Sequence, residues 1–339
     1  MPQHPNLRRL ALLILTACAN PAEPFPRSVD QSPPPAPPPA DPRQDWEGTI
    51  ALATCNTRDD QDMFCTSSGF TLMRPGVTDQ VILTTPYIVG DPAWSPDGKW
   101  LAFTAYAHCA PVPRECPQEI YRMTRFGQSV MQVGPAGLYS YSPAWSPDGS
   151  RIVFASADEI EGPYHLMIMN ADGSGLRTLG GLSGGAPAWS PDGRRIAYSG
   201  TDADGYFAIF MANSDGTVPT QVTFPAEDGT GWAWDGSPAW SPDGEAVAFT
   251  HGVQYADGHG SCQMHSMKPD GSGLVVLTND SFCASKPVWF PGGRLIAYQG
   301  IMPESGGLQG LILMNADGTQ PFLLRQMGYD FSRVAWTSK

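Results

Sequence analysis

Four side chains close together in the sequence have types that could bind a metal ion. His251, Asp257, His259 and His265 lie within residues 251–265, and imidazole and carboxylate groups are common ligands of transition metals. Their spacing matches no helical metal motif, because the segment around them reads as an irregular loop. We therefore interpret them as solvated loop residues and predict no metal; the weak candidates for a metal site are His251, His259 and His265.

A second candidate is a serine within a G-x-S-x-G pattern, Gly181-Leu182-Ser183-Gly184-Gly185. A nucleophile elbow of this kind requires a turn from a strand into a helix in an α/β-hydrolase fold. Here the pattern joins two segments that both read as strands, so we interpret the match as coincidental. No glycine-rich loop leads from a strand into a helix, which argues against nucleotide binding. We predict no catalytic residues and no cofactor.

A sequence repeat determines the elements that would position these residues. The pentapeptide Trp-Ser-Pro-Asp-Gly occurs four times, and a degenerate copy and a lone tryptophan follow it. The intervals are 44 to 51 residues, and the tryptophans are Trp94, Trp145, Trp189, Trp240, Trp289 and Trp336. Such a period is typical of a solenoid or a propeller. Alternating apolar residues after each copy favour strands over helices.

One repeat reads as four strands, A to D. Strand A carries the Pro-Ala-Trp-Ser segment, a Pro-Asp-Gly turn leads to strand B, and a second turn containing Asp-Gly joins strands C and D. Residues 48–85 contain strands B, C and D without a strand A, whereas Val334–Trp336 is a strand A alone. We therefore predict an all-β fold, a six-bladed β-propeller over residues 46–339 with four-stranded antiparallel blades. The N- and C-terminal strands close one blade, which removes the open edges.

The Trp-Ser-Pro-Asp-Gly and Asn-Ala-Asp-Gly motifs resemble the propeller repeat of the TolB-like family, also called WD40-like Pro-Asp repeats. The resemblance covers nearly all of the chain after residue 45 and implies a propeller, but it implies no particular ligand. From their residue types, we expect the tryptophans to wedge between adjacent blades. We expect the turn aspartates to accept hydrogen bonds from local backbone rather than to bind calcium.

In such a propeller the A–B and C–D turns lie on one face, here named the turn face. The B–C and D–A connections lie on the opposite face, here named the loop face, which carries all the irregular segments. Aromatic side chains on D–A loops such as 139–142 and 230–237 suit a binding surface. The predicted binding rim consists of Tyr87, Tyr139, Tyr141, Trp232, Trp234, Phe282, Tyr329 and Phe331. The alternative is that several of these side chains fold inward and plug the channel mouth.

The first residues predict export and lipidation. Arg8 and Arg9 precede a short apolar run that ends in Leu15-Thr16-Ala17-Cys18, so residues 1–17 read as a signal peptide. The end of the run resembles the bacterial lipobox, which implies lipidation of Cys18 and, with Ala19 next, the outer membrane; the alternative is an ordinary export signal. Several acyl chains on one cysteine anchor a protein firmly. Residues 18–45 contain the prolines of 33–39 and predict a disordered, extended linker.

Six cysteines remain after Cys18, and an even number in an exported chain indicates disulfides. We predict sequential pairing, although other pairings are open. The predicted bridges are Cys55–Cys65, Cys109–Cys116 and Cys262–Cys283.

The net charge of −13 argues against nucleic acid and anionic membrane surfaces as partners. We predict a monomeric, non-enzymatic envelope lipoprotein, held at the membrane by its lipid anchor only. Its loop face would bind a protein, peptide or glycan. The alternative is a metal-dependent, carbohydrate-active propeller enzyme centred on His251, His259 and His265. A third hypothesis is a purely structural envelope scaffold.

Overall fold

Short runs rich in β-branched and aromatic residues, separated by Gly and Pro turns, form strands throughout the described chain. The computed structural model describes residues 49–58, 65–73, 81–85, 87–106, 116–159, 162–225, 231–278, 284–302, 308–326 and 334–337. These residues form 24 strands in six sheets of four strands, and neighbouring strands are antiparallel. The predicted six-bladed, all-β propeller is therefore confirmed.

Each blade is one sheet, and its strands follow the A to D order. Blade 1 contains β24 (Val334–Thr337), β1 (Thr49–Arg58), β2 (Cys65–Met73) and β3 (Val81–Thr84). Blade 2 contains β4 (Ile88–Trp94), β5 (Trp100–Tyr106), β6 (Glu119–Thr124) and β7 (Met131–Gln132). Blade 3 contains β8 (Tyr139–Trp145), β9 (Arg151–Ala157), β10 (His165–Asn170) and β11 (Arg177–Ser183).

The other three blades have the same order. Blade 4 contains β12 (Gly185–Trp189), β13 (Arg195–Thr201), β14 (Phe207–Asn213) and β15 (Thr220–Gln221). Blade 5 contains β16 (Gly231–Trp240), β17 (Val247–Tyr255), β18 (Gly260–Met267) and β19 (Val275–Val276). Blade 6 contains β20 (Ser285–Trp289), β21 (Leu295–Met302), β22 (Leu308–Asn315) and β23 (Phe322–Gln326).

The last strand of the chain closes the ring, as predicted. β24 pairs with β1 in an antiparallel register that places Ile50 opposite Trp336 and Leu52 opposite Val334. The Trp336 ring stacks on Phe290 of blade 6, with centroids 4.0 Å apart. The C-terminal strand thus supplies the missing strand A of blade 1 and links that blade to blade 6.

Strand A is the innermost strand of every blade, because β24, β4, β8, β12, β16 and β20 contact one another in succession around the ring. The apolar core lies between blades. Ile152 and Phe154 of blade 3, for example, cluster with Ala102 and Ile120 of blade 2, and all four are fully buried. Both sides of each blade are covered, which explains continuously buried runs such as residues 152–157.

The motif tryptophans link neighbouring blades, as expected. Trp145 Nε1 donates to the carbonyl oxygen of Ala93 in blade 2 over 3.0 Å. Trp240 and Trp289 donate in the same way to Ala188 and Ala239 of the preceding blade. The guanidinium of Arg195 in blade 4 lies 4.9 Å from the centre of the Trp240 ring, a cation–π contact between blades.

The turn aspartates bond to local groups, as expected. Asp148 Oδ1 accepts hydrogen bonds from the Ser146 hydroxyl and from the Ser150 backbone amide. These bonds lower the pKa of Asp148 to about 2. The amide of Ala171 in the C–D turn donates to the Ser150 carbonyl in the A–B turn over 2.8 Å. The two kinds of turn therefore lie side by side on the turn face.

Candidate functional site

The inner strands extend further towards the loop face than the sequence predicted. Residues 139–142 belong to β8, and residues 231–237 belong to β16, so the interpretation of these two segments as D–A loops was wrong. Proline is rare inside strands, which made each Pro-Ala-Trp segment read as the start of a strand. The structure instead places that proline at a β-bulge, and strand pairing resumes beyond it, with Tyr139 opposite Ala157 and Trp232 opposite Gln254.

Every bulge of this kind has a non-glycine residue with positive φ immediately before the proline: Asp91, Ser142, Ala186, Ser237 and Lys286. Such a backbone costs on the order of 1–3 kcal/mol and must be held by its surroundings. Amides at the bulges donate to side chains of the preceding blade: Ser142 to Asp91 Oδ2 (3.1 Å), Ser237 to Ser199 Oγ (3.1 Å) and Lys286 to Thr250 Oγ1 (3.2 Å). These bonds join neighbouring blades at their inner strands, and the repeat motif did not predict them.

Five of the eight predicted rim aromatics lie within the described residues: Tyr87, Tyr139, Tyr141, Trp232 and Trp234. Each of them is half-buried. Tyr87 packs on Tyr121, with ring centroids 5.2 Å apart. A Cβ at Gly252 would clash with the Trp234 indole, so this ring lies against its own blade. Phe282, Tyr329 and Phe331 lie outside the described residues. The binding rim stays a prediction.

Four tyrosines lie close together on the loop face, at the border of blades 2 and 3: Tyr106, Tyr139, Tyr141 and Tyr164. Tyr141 and Tyr164 meet edge to face, with ring centroids 5.4 Å apart. Tyr106 lies close enough to raise the pKa of Tyr141 electrostatically, and Tyr139 acts on Tyr164 in the same way. Burial is the largest cause of the raised pKa of Tyr106, Tyr141 and Tyr164, so all three stay uncharged at neutral pH. The predicted rim omitted Tyr106 and Tyr164.

Two of the three candidate histidines, His251 and His265, come together, and a carboxylate that was not predicted, Asp235, lies beside them. His251 Nδ1 lies 2.7 Å from Asp235 Oδ1, because residues 251 and 235 are directly opposite in β17 and β16. The rings of His251 and His265 stack, with centroids 4.7 Å apart and planes at 17°. His259 lies at the β17–β18 hairpin, is 79% exposed and pairs with Asp257.

The stacked arrangement does not suit a shared metal ion. An imidazole binds a metal through a lone pair in the plane of its ring, and the planes of His251 and His265 are nearly parallel. His265 Nε2 already lies 3.3 Å from Gln263 Oε1. Within the described residues, no three His, Cys, Asp or Glu side chains are grouped so that they could hold a metal ion.

The G-x-S-x-G segment joins β11 to β12, so it is a strand-to-strand connection and not the turn into a helix that a nucleophile elbow requires. Ser183 is exposed, and its hydroxyl lies 3.3 Å from His165 Nδ1. Within the described part of the chain, no carboxylate hydrogen-bonds to His165. The segment therefore lacks both the backbone geometry and the third residue of a catalytic triad.

Two of the six remaining cysteines are described with their side chains. Cys116 and Cys262 are each 6% exposed. Their predicted partners, Cys109 and Cys283, lie outside the described residues. The amide of Ala284 donates to the Cys262 carbonyl over 3.0 Å, so the residue next to Cys283 lies beside Cys262. All three pairings stay predictions.

The register between β1 and β2 separates the two cysteines of the predicted pair Cys55–Cys65. Cys55 lies opposite Ser68 and Cys65 lies opposite Arg58, so the two positions are offset along the strands by roughly 10 Å at a rise of about 3.4 Å per residue. A bridge between them would require the end of this hairpin to change register, because the Cα atoms of a disulfide lie within about 7 Å.

Comparison with known proteins identifies the fold family. A family model described as "TolB beta propeller domain" matches residues 74–339. The chain belongs to this family. A Tol-Pal system protein TolB of Francisella tularensis subsp. mediasiatica is 25% identical over 248 residues, which cover 71% of this chain and 52% of that protein. Another TolB, from Anaeromyxobacter dehalogenans, is 33% identical over 104 residues, 31% of this chain and 22% of that protein.

The region matched by this TolB-type chain therefore covers at most about half the length of each of these two relatives. Among solved structures, TolB of Acinetobacter baumannii has a TM-score of 0.64 at 18% identity, covering 85% of this chain and 66% of that one. A puromycin-hydrolyzing peptidase of Mycobacterium tuberculosis has a TM-score of 0.54 at 16% identity, covering 82% of this chain and 45% of that one. Likeness at this level shows a shared fold, which occurs in enzymes and in TolB alike.

The part of the chain that the structure describes contains no helix that is long and apolar enough to cross a bilayer.

Proposed function

We propose that this TolB-like propeller is an exported, non-enzymatic envelope protein that binds a protein, peptide or glycan partner through its loop face. The observation that carries the proposal is the group of half-buried aromatic side chains on the loop-face halves of inner strands, among them Tyr139, Tyr141, Trp232 and Trp234. Ordered aromatics contribute much contact area at a small cost in entropy. The protein would act as a monomer.

The envelope location is supported by the name of the relatives, Tol-Pal system protein, and by the first residues of the sequence. Residues 1–17 would be removed as a signal peptide, Cys18 would be lipidated at the outer membrane, and residues 18–45 would form the linker to the propeller at 46–339.

The position of the first described residue suits this arrangement. Thr49 begins β1 on the turn face, because its hydroxyl accepts a hydrogen bond from Arg125 Nη2 in the C–D turn of blade 2 (3.3 Å). The amide of Arg125 in turn donates to the Lys99 carbonyl in the A–B turn. The linker would therefore join the turn face and leave the loop face unobstructed for a partner.

Disulfides Cys109–Cys116 and Cys262–Cys283 would brace loop-face segments that lack a core of their own. The burial of Cys116 and Cys262 supports this role. Such a bridge contributes roughly 2–4 kcal/mol. Masses of the corresponding peptides, measured with and without reduction, test both pairings, and free thiols at Cys116 and Cys262 would exclude them.

Site-specific photo-crosslinking in intact cells tests the binding face. A photoreactive phenylalanine derivative replaces Trp232, which is half-buried on the loop face, or Glu245, which is exposed in an A–B turn on the turn face. We expect a discrete adduct from position 232 and none from position 245, measured by immunoblotting and mass spectrometry. An adduct from position 245 alone would reverse the assignment of the face, and no adduct from either position would count against a binding function.

A further inference from the structure

A pocket of about 500 Å³ lies beside the loop face at blade 3, between the approach to β8 and strands β9 to β11. Leu138, Ala157 and Met167 provide its buried or half-buried apolar surface, and Asp158, Glu159 and His165 provide exposed polar groups. The size is within the range of sites that bind a drug-sized ligand or a few residues of peptide.

The two carboxylates of this pocket are not neutralised. Asp158 and Glu159 are adjacent and exposed, and neither forms an ion pair with a cation within the described ranges. The whole chain carries a net charge of −13, so the surrounding field also favours a cation. An anionic ligand would meet repulsion here.

The pocket combines charge with apolar surface. Leu138, Ala157 and Met167 line it together with Asp158 and Glu159. Carboxylates attract cations by charge, and the apolar lining accommodates the methylene stem of a long basic side chain, so together they favour a positively charged group on an apolar stem.

We propose that this pocket binds a Lys or Arg side chain, so that the loop-face partner of this protein presents a basic peptide segment. The inference rests on the proposed function, since it specifies the chemistry of the partner at the loop face. The apolar stem of the side chain contacts Leu138 and Met167, and its charged end meets Asp158 and Glu159.

Fluorescence anisotropy with a labelled, capped (Gly-Arg)3 peptide tests the proposal on the purified propeller-bearing protein. The variant D158N/E159Q removes both charges at nearly constant shape from exposed positions. The control variant D204N/E245Q removes two exposed carboxylates elsewhere, one in the B–C loop of blade 4 and one in an A–B turn. We expect affinity to fall about tenfold in the first variant and less than twofold in the control.

An equal loss of affinity in both variants would mean that the arginine peptide is attracted to the acidic protein as a whole. It would overturn the proposal that this pocket binds a basic side chain. No loss in D158N/E159Q would overturn it as well. A third arm uses chitotriose, a neutral glycan, and its binding in place of the arginine peptide would replace the basic partner with a sugar. The pocket tests can fail while the crosslinked adduct from position 232 is still formed. That result would reject only this inference and would leave the proposed function intact.

Discussion

At the scale of single residues, His265 is a titratable side chain held uncharged inside a packed blade. Its ring meets Phe249 edge to face and stacks on His251. Burial, together with the nearby His251, lowers the pKa of His265 to about 4, although Asp235 acts in the opposite direction. The ordinary pKa of histidine is about 6.5, so the unfolded chain binds this proton at a pH where the folded protein does not.

Folding stability should therefore decrease as the pH falls from about 6.5 to about 4. The unfolded state takes up the proton across this window, and the loss attributable to His265 is at most about 3 kcal/mol. His265→Gln should show a shallower pH dependence than the wild type in urea unfolding measured from pH 7 to pH 4. His259→Gln is the control, since this side chain is exposed at a hairpin. Parallel curves for wild type and His265→Gln would contradict the assignment.

At the scale of elements, the C–D turns dock onto the preceding blade through glycine. Gly173 has a φ of +90°, and a Cβ built there would lie 2.6 Å from the Val133 carbonyl oxygen of blade 2. The same contact recurs at Gly271 and Val222, between blades 5 and 4. Each turn therefore combines a left-handed backbone with a close approach that only glycine tolerates.

Gly173→Ala should destabilise the protein by about 2–4 kcal/mol, because it adds a clash between blades to the backbone strain. Gly137→Ala is a matched control: φ is +76°, but nothing lies within 4 Å of its built Cβ, so only strain of about 1 kcal/mol is expected. Thermal unfolding of both variants measures the difference. Equal destabilisation would show that docking of the turn contributes little.

At the scale of the whole molecule, the ring has two unlike faces, and the chain enters on the turn face at Thr49. The blades are held together by core clusters, by the tryptophan bonds and by the amides of the inner bulges. A lipid on Cys18 would thus tether the protein to the membrane from its turn face, which is opposite to the face with the aromatic side chains.

Cys18→Ala should release the protein from the membrane while leaving the propeller folded, since residue 18 precedes the ring. Fractionation of cells should place the wild type in the membrane pellet and the variant in the soluble envelope fraction. Recovery of the wild type without detergent would contradict lipidation, and circular dichroism of both proteins checks that the fold is unchanged.

Much of the fold followed from sequence because local chemistry encodes it. The Trp-Ser-Pro-Asp-Gly turns recur once per blade, and their hydrogen bonds span only a few residues, as at Ser146 and Asp148. The lone Trp336 and the incomplete first repeat were enough to predict closure, because a strand A without partners and a blade without a strand A complement each other. The period, the blade count and the closing strand were thus determined by the sequence.

The candidate sites were decided by tertiary structure. Asp235 meets His251 only through the pairing of β16 with β17, and that pairing exists because β16 continues past its proline through a bulge. The pocket at Asp158 and Glu159 takes lining residues from the approach to β8 and from strands of blade 3, which are distant in sequence. Sequence periodicity specifies which residues form strands, but bulges, register and the packing of one blade on the next determine which side chains meet.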